Sequence, residues 1–211
     1  MVARVTGQPP GRAGRVWLDR RIAMASRGAG LLEQKLRILV GLEQRYSLMH
    51  DRTLQGWREA LGQLDLWLAR AGVVSGQRGV RLAGDHGPAR VEVTWALTMG
   101  VKHPAAGTTT IPEPQGTDPV PDSEALLEAR AAARRALTAA VDHAVARTAR
   151  EAVRVEVAKT RRQLRAIETR RLPALRGARA RLAMDLDDLE REEALRLRWA
   201  QRPHQEHGGR P

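Results

Sequence analysis

The sequence predicts a mainly α-helical fold with two very long helices in an antiparallel coiled coil and a small β-hairpin where the chain turns back. Three observations lead to this prediction. Apolar residues recur at heptad spacing towards both ends of the 211-residue chain. The stretch between them carries turn residues and an apolar alternation of period two. The composition is dominated by Leu, Ala, Arg and Glu, with one Tyr and no Phe, which is typical of long helices.

The first helix is predicted over residues 15–72, after a flexible basic N-terminus at 1–14. Its apolar positions follow alternating steps of four and three, so they form one continuous seam. Gly72 is a suitable C-cap, because glycine adopts the left-handed conformation that ends many helices. The predicted seam residues are Leu18, Ile22, Ala25, Ala29, Leu32, Leu36 and Leu39.

Residues 73–122 are predicted to form the hairpin and a Pro/Thr-rich loop. Alternating apolar residues indicate that the second strand of the hairpin covers about 90–99. The stretch AAGTTTIPEPQGTDPVPD, with four prolines, predicts an irregular loop, and GQRG at 76–79 is interpreted as a turn. The turn before the second strand is assigned to Gly84, Asp85, Gly87 and Pro88.

The second helix is predicted over residues 123–200, with Asp122 or Ser123 as its N-cap and a disordered tail at 201–211. Pro173 lies inside this helix and predicts a kink or an end, because proline lacks the backbone N–H. Its early seam is rich in alanine, at Leu126, Ala133, Leu137, Ala140 and Ala144. The predicted seam continues through Ala152, Val153 and Val157. Its later part comprises Leu164, Ile167, Leu175, Leu182, Leu186 and Leu189, with the last two expected near the start of the first helix.

The formal net charge is +12, and its excess lies in the two predicted helices. Residues 1–71 hold 12 Lys+Arg against 6 Asp+Glu, and residues 123–211 hold 20 against 13. This distribution fits a nucleic-acid-binding surface or a surface for an acidic protein partner. It also fits a genome that favours arginine codons, since only three of the 36 basic residues are lysines.

The sequence contains no motif that predicts catalysis. The signatures G-x-x-x-x-G-K-[ST], G-x-S-x-G and H-E-x-x-H are absent, and so is cysteine. The carboxylates of DLDDLEREE are spread around a helix and predict a solvated face, and His204 and His207 are weak metal candidates. We therefore expect no catalytic residue, no cofactor and no metal. With no apolar run long enough for a membrane span and no secretory signal, we expect a cytoplasmic protein.

Three segments resemble the D subunit of the V-type (archaeal/vacuolar-type) ATPases and ATP synthases. RVWLDRRIAMASRGAGLLEQKLRILV is similar to the basic first helix of that family, and TMGVKHP at 98–104 to its Met-Gly-Val hairpin motif. AIETRRLPALRGARARLAMDLDDLEREEALRLR is similar to the family's last helix, with its interior Pro-x-Leu and its acidic ending.

The resemblance implies a central rotor shaft that couples ATP synthesis or hydrolysis to proton or sodium transport. It implies contacts with the catalytic A and nucleotide-binding B subunits, with the F subunit and with the C subunit that forms the socket to the membrane rotor. It implies only an indirect membrane association, at the inner face. It also implies that the hairpin, with Met99, Gly100 and Val101, influences ATPase activity. The candidate contacts with acidic linings of the A/B ring are Arg12, Arg15, Arg20, Arg21, Arg27, Arg191 and Arg196.

Two other functions remain open from the residues alone. A basic coiled coil that binds nucleic acid would have few acidic residues along its basic stripe, yet acids interrupt both predicted helices. A generic scaffold or stalk would lack the hairpin insert and the TMGVKHP segment. We therefore expect no nucleic-acid partner.

Overall fold

A computed structural model of the protein describes residue 7 and residues 9–83, 87–112 and 123–200. Within these ranges the predicted fold class is confirmed: the chain is mainly helical, with one antiparallel two-stranded hairpin. The elements are α1 (Gly11–Ala83), β1 (Arg90–Thr98), β2 (Val101–Thr110), α2 (Glu124–Ala166), a π-helical turn (Ile167–Arg171) and α3 (Leu172–Ala200).

The chain divides into two compact units. The terminal unit comprises the described residues up to Gln34 and those from Arg161 onward. The hairpin unit comprises Lys35–Thr160.

In the terminal unit, the start of α1 packs antiparallel against α3. Arg12 forms an ion pair with Glu190 at 3.0 Å, and further along α1 Asp19 pairs with the earlier Arg179 at 2.7 Å. The apolar core between the helices is formed by large side chains, because leucines meet from both elements. Its buried members are Leu18, Ala25, Leu172, Leu175 and Ala178, with Trp17, Ile22, Ile167 and Leu182 packed against them.

The structure departs from the predicted seam at the end of α3. Leu186 is half-buried, but Leu189 is 55% exposed. Because Arg12, in the first turn of α1, already reaches Glu190, little of α1 remains to cover the residues that follow. Residues 191–200 of α3 are all exposed.

Pro173 does not end the helix. A π-helical turn over Ile167–Arg171 precedes it, in which the N–H of Leu172 donates to the carbonyl of Ile167. In a regular α-helix the proline ring would clash with the carbonyl four residues earlier, so the wider turn accommodates the ring without a break. Of the two predicted alternatives, an end of the helix is wrong, because the chain remains helical on both sides of Pro173. The kink stays a prediction.

In the hairpin unit, α1 and α2 also pack antiparallel, around two apolar clusters. The first cluster contains Leu39, Val101, Val153 and Val157, with Lys35 and Glu156 paired beside it at 2.6 Å. The second contains Ala71, Leu126 and Ala129. Between these clusters the buried residues of α2 are Ala132, Ala136, His143, Ala146 and Ala149.

The alanine-rich part of the predicted α2 seam is shifted by one position. Ala132 is fully buried and Ala136 is 4% exposed, whereas the predicted Ala133 is exposed. In a run of alanines, several registers present equally small apolar faces. Periodicity therefore could not select the correct one.

Helix α1 continues to Ala83 and does not end at residue 72 as the sequence predicted. Ala71 is fully buried against Leu126 and Ala129, and Val80 and Ala83 pack on the same cluster. These contacts outweigh the cost of Gly72 in a helix, which is about 1 kcal/mol. Gly76 interrupts the helical backbone with φ 68° and ψ 173°, a conformation open to glycine. The predicted turn at 76–79 is otherwise wrong, because the residues after Gly76 are helical.

The hairpin lies later in the chain than predicted. Residues 90–98 form its first strand, and β2 includes the TTT of the stretch that predicted a loop. The β-branched threonines explain this difference, because they favour extended backbone. Pairing runs from Arg90↔Thr110 to Thr98↔Val101, with a bulge opposite Thr94/Trp95.

The hairpin turn consists of Met99 and Gly100, with φ values of 51° and 79°. Positive φ at both central residues is the conformation of a type I′ turn, whose twist matches that of the strands. The predictions for Gly84 and Asp85, for the loop after residue 112 and for the tail at 201–211 lie outside the described residues.

Candidate partner-contact surfaces

Three of the arginines predicted to contact partners form ion pairs within the terminal unit. Arg12 pairs with Glu190, Arg191 pairs with Asp188 at 3.2 Å, and Arg196 approaches Glu192 at 3.8 Å. All three pairs are exposed, and such pairs contribute at most about 1 kcal/mol each. They can therefore be exchanged for contacts with another protein at low cost.

The other four predicted arginines lie on α1. Arg21 is half-buried, and its guanidinium lies 4.7 Å from the ring centroid of Trp17. Arg15, Arg20 and Arg27 are exposed. The structure thus places all seven predicted arginines in the terminal unit.

Buried contacts attach the hairpin to the helices of its own unit. Val101, in the predicted Met-Gly-Val motif, is 7% exposed and packs in the cluster with Leu39, Val153 and Val157. At the base of the hairpin, Gly107 lies against α2, where a Cβ atom would approach Val141 to 2.7 Å. The hairpin is therefore fixed to the helices at two levels.

His103 links the hairpin to α1 through hydrogen bonds that sequence analysis did not predict. Its ring is 3% exposed, with Nδ1 3.1 Å from the hydroxyl of Tyr46 and Nε2 3.1 Å from Oγ1 of Thr98. Nδ1 also lies 3.3 Å from the carbonyl oxygen of Pro104, and the tautomer of the ring decides which nitrogen donates. Burial raises the pKa of Tyr46, against an opposing effect of Arg45.

The face of the hairpin near its turn exposes large apolar side chains. Trp95, Leu97 and Met99 are 55%, 73% and 43% exposed. The ammonium group of Lys102 lies 5.0 Å from the ring centroid of Trp95. The apolar residues whose alternation predicted a strand therefore form an exposed row on β1, because they do not pack into the core.

A second feature that the sequence did not reveal is a cluster of rings between α1 and α2. His143 is 8% exposed and stacks on Trp57, with ring centroids 5.4 Å apart and an interplanar angle of 15°. The centroid of His50 lies 4.9 Å from that of His143. Burial lowers the pKa of His143, and His50, Arg147 and Arg58 lower it further, whereas a hydrogen bond that the ring donates to the backbone of His50 raises it.

Basic residues surround a cavity of about 360 Å³ next to these rings. A second cavity of about 590 Å³ adjoins it, since Arg147 and Glu151 line both. The first cavity is lined by His50, Arg147, Arg150, Glu151 and Arg154. The second is lined by Trp57, Ala140, His143, Ala144, Arg147, Thr148, Glu151 and Ala152.

The described part of the chain offers no group of three or more His, Asp or Glu side chains placed to hold a metal ion. No helix in the same ranges has the length and apolar character of a membrane span. The predicted His204 and His207 lie outside the described residues.

Paired antiparallel helices with charged outer faces and a β-hairpin insert define the class of coiled-coil hairpin proteins. Within that class, the chain belongs to the family of ATP synthase D subunits, whose family model matches residues 16–202. It is 30% identical over 197 residues to a V-type ATP synthase D subunit of Anaeromyxobacter dehalogenans (strain 2CP-1 / ATCC BAA-258), covering 89% of this chain and 92% of that protein. It is 32% identical over 199 residues to the V-type ATP synthase D subunit of Anaeromyxobacter sp. (strain K), with the same shares covered. The chain is thus a stalk subunit of a V-type rotary ATP synthase.

Proposed function

We propose that this chain is the central rotor shaft of its complex and transmits torque between the catalytic A/B ring and the ion-translocating rotor of the membrane. The observation that carries the proposal is the antiparallel packing of α1 on α2 and on α3, in a family member matched over residues 16–202. Two helices held by buried apolar side chains resist sliding past one another, because each step of slippage would expose those side chains to water.

Ion pairs between the helices support this role. Lys35 and Glu156 are 28% and 18% exposed, and they hold one register in the hairpin unit. Asp19 and Arg179 do the same in the terminal unit. Sliding of one helix along the other would separate the two charges of such a pair and leave a partly buried charge without its partner. This cost adds to that of exposing the apolar seam.

The exposed arginines of the terminal unit are proposed to contact acidic linings of the A/B ring. A rotor must move past successive binding positions without strong adhesion, which favours exposed charges over large apolar patches. Arg15, Arg20 and Arg27 satisfy this condition. Neutralising Arg20, Arg21 and Arg27 together should weaken assembly or the coupling of ATP hydrolysis to ion transport, and unchanged coupled activity would contradict these contacts.

We further propose that the F and C subunits bind the same chain, that ATP chemistry takes place on the A subunits, and that this chain is not itself catalytic. The hairpin, with Met99, Gly100 and Val101, is proposed to modulate the ATPase rate. The complex would lie at the cytoplasmic face of the cell membrane and carry protons or sodium ions.

Purification of the complex through a tag on this chain, from cells that naturally express it, tests the proposal. We expect the A, B, F and C subunits to copurify with ATPase activity, and we expect that deletion of residues 186–198 lowers this activity. Recovery of the chain without ATPase subunits would refute it. Binding of the purified chain to duplex DNA, with an affinity that falls steeply with salt, would instead support a nucleic-acid function.

A further inference from the structure

The packing of the hairpin unit changes between its two apolar clusters. Leucine and valine fill the first cluster, whereas alanines and His143 occupy the buried positions of α2 around Ala146. Small side chains leave space at the helix interface. The cavities of about 360 Å³ and 590 Å³ open along this stretch. We refer to the two adjoining cavities as the Arg147 groove.

One end of the Arg147 groove carries excess positive charge. Arg154 is bound to the carboxylate of Glu151 by two hydrogen bonds of 2.9 Å, so these two charges neutralise each other. Arg150 approaches Nδ1 of His50 at 3.5 Å, and the same nitrogen lies 3.0 Å from the carboxylate of Asp51, which is not part of the cavity lining. Three arginines and one carboxylate, that of Glu151, line this end of the groove. Arg147, on the same wall, is exposed. The lining therefore favours a negatively charged group from outside the chain.

The other end of the groove suits an apolar side chain. Trp57, Ala140, Ala144 and Ala152 line the larger cavity, and Arg147 lies at its junction with the basic end. A free phosphate ion would satisfy the arginines and leave the apolar end empty. An amphipathic helix with carboxylates beside its apolar residues would fill both ends at once.

We propose that the Arg147 groove binds an acidic amphipathic helix of another protein subunit, with its carboxylates on Arg147 and Arg150 and its apolar side chains over Ala140 and Ala144. The proposal rests on the proposed function only for the source of the helix, which would be a subunit of the same complex. The groove lies within the hairpin unit, whereas the arginines proposed to contact the A/B ring lie in the terminal unit. Its residues are therefore different from those proposed to contact the A/B ring.

The occupant can be identified by photo-cross-linking in living cells. A photoreactive amino acid replaces Ala144, which is exposed in the groove, and a matched variant carries it at the exposed Gln163 of the same helix. We expect Ala144 to cross-link to a peptide with Asp or Glu at helical spacing of three or four residues, and Gln163 not to cross-link to that peptide. Cross-links to this chain itself, to nucleic acid or to a segment without acidic residues, or none above the Gln163 level, would overturn the proposal.

Charge reversal tests the basic end of the groove. The double variant Arg147→Glu/Arg150→Glu should lower the yield of the Ala144 cross-link about tenfold or more, since opposed charges at an interface are strongly unfavourable. The control Arg162→Glu/Arg165→Glu changes the net charge equally at two exposed positions of α2 with the same spacing. The charge-preserving variant Arg147→Lys/Arg150→Lys should retain most of the yield. Equal loss in the reversed and control variants would contradict a site at the groove.

The same experiment separates this inference from the proposed function. A cross-link to an acidic helix of an ATP synthase subunit supports both. A cross-link to an acidic helix of a protein outside the complex supports the groove and contradicts the proposed source of the helix. Copurification of the ATP synthase subunits without any groove cross-link supports the rotor function and overturns the groove.

Discussion

The helices of the terminal unit and those in the middle of the hairpin unit both pack antiparallel, but the side chains buried between them differ in size. In the terminal unit, Leu18, Leu172 and Leu175 interlock around Ala25. In the middle of the hairpin unit, Ala146 and His143 occupy the buried positions and cavities open beside them. The comparison shows that the size of the buried side chains differs along a two-helix seam. Large buried side chains stabilise one region, because they remove more apolar surface from water, and small ones leave accessible space in the other.

The largest expected effect comes from removing a leucine of the terminal seam. Leu18→Ala should destabilise the protein by about 2 to 5 kcal/mol, because Leu18 is fully buried and its loss leaves a cavity. Chemical denaturation followed by circular dichroism measures the change. The matched variant Leu31→Ala, at a 67% exposed leucine of the same helix, should change stability by less than about 0.5 kcal/mol. Equal effects at the two positions would contradict the packing of this seam.

Enlarging an alanine distinguishes the two regions directly. Ala25→Leu should cost about 1 to 3 kcal/mol, because Ala25 is 8% exposed in a cluster with Leu18 and Leu172 and a larger side chain would overpack it. Ala144→Leu should cost less than about 0.5 kcal/mol, because its side chain points into the open Arg147 groove. Denaturation midpoints of the two variants provide the measurement. A similar loss at both sites would mean that the two regions are equally well packed.

The ion pair beside the first apolar cluster tests how much a polar contact adds to a well-packed stretch. Lys35→Met should destabilise the protein by about 1 to 2 kcal/mol, because it leaves the partly buried Glu156 without its 2.6 Å partner. Lys159→Met is the control, since Lys159 is 56% exposed and lies 3.4 Å from the same carboxylate. Its effect should stay below about 0.5 kcal/mol.

The same pair predicts a pH dependence. The hydrogen bond from Lys35 lowers the pKa of Glu156 from its ordinary 4.5, so this contribution to stability is present above pH 4.5 and is lost as the pH falls through the lowered pKa. Wild type should lose more stability than Lys35→Met on acidification in this range. Parallel curves for the two proteins would contradict the assignment.

The smallest expected effect concerns His143 in the loosely packed stretch. Its pKa is lowered from 6.5, chiefly by burial, so the folded protein binds fewer protons than the unfolded chain below pH 6.5. Stability should be full above that pH and should decline as the pH falls through the lowered pKa. The titratable or charged groups facing this ring are His50 and Arg58 from α1 and Arg147 from α2.

Thermal unfolding at a series of pH values, for wild type and His143→Gln, measures this contribution. The variant should show a smaller decline below pH 6.5, because it removes a group whose protonation opposes folding. An unchanged pH dependence would mean that His143 is protonated equally well in the folded and unfolded states.

The sequence was most informative where side chains were large and regularly spaced. The steps from Leu18 to Leu39 predicted a helix that the structure contains. The predicted end of that helix was wrong, because Gly72 resembled a cap. The neighbouring sequence could not show that Ala71 is buried against Leu126, which lies far away along the chain. The hairpin was predicted with displaced strands, because the Met99–Gly100 turn was less conspicuous than the glycine and proline before it.

The candidate site was harder to predict than the fold. His50, Trp57 and His143 are far apart in sequence and meet only because two helices pack side by side. The alanine-rich seam around Ala140 was predicted from its periodicity, but periodicity could not reveal that these alanines border cavities. Arginines are frequent throughout the chain, so nothing distinguished Arg147 and Arg150 before their surroundings were known.

The left-handed backbone at Met99 and Gly100 has an evolutionary consequence. Both residues sit where a side chain with a Cβ is normally disfavoured, so the range of amino acids that natural variation can accept is narrow. Position 99 should admit chiefly Gly, Asn or Asp in addition to methionine, while position 100 should remain glycine. Homologous sequences that keep the hairpin should therefore vary freely at Thr94 or Leu97 and hardly at all across these two residues.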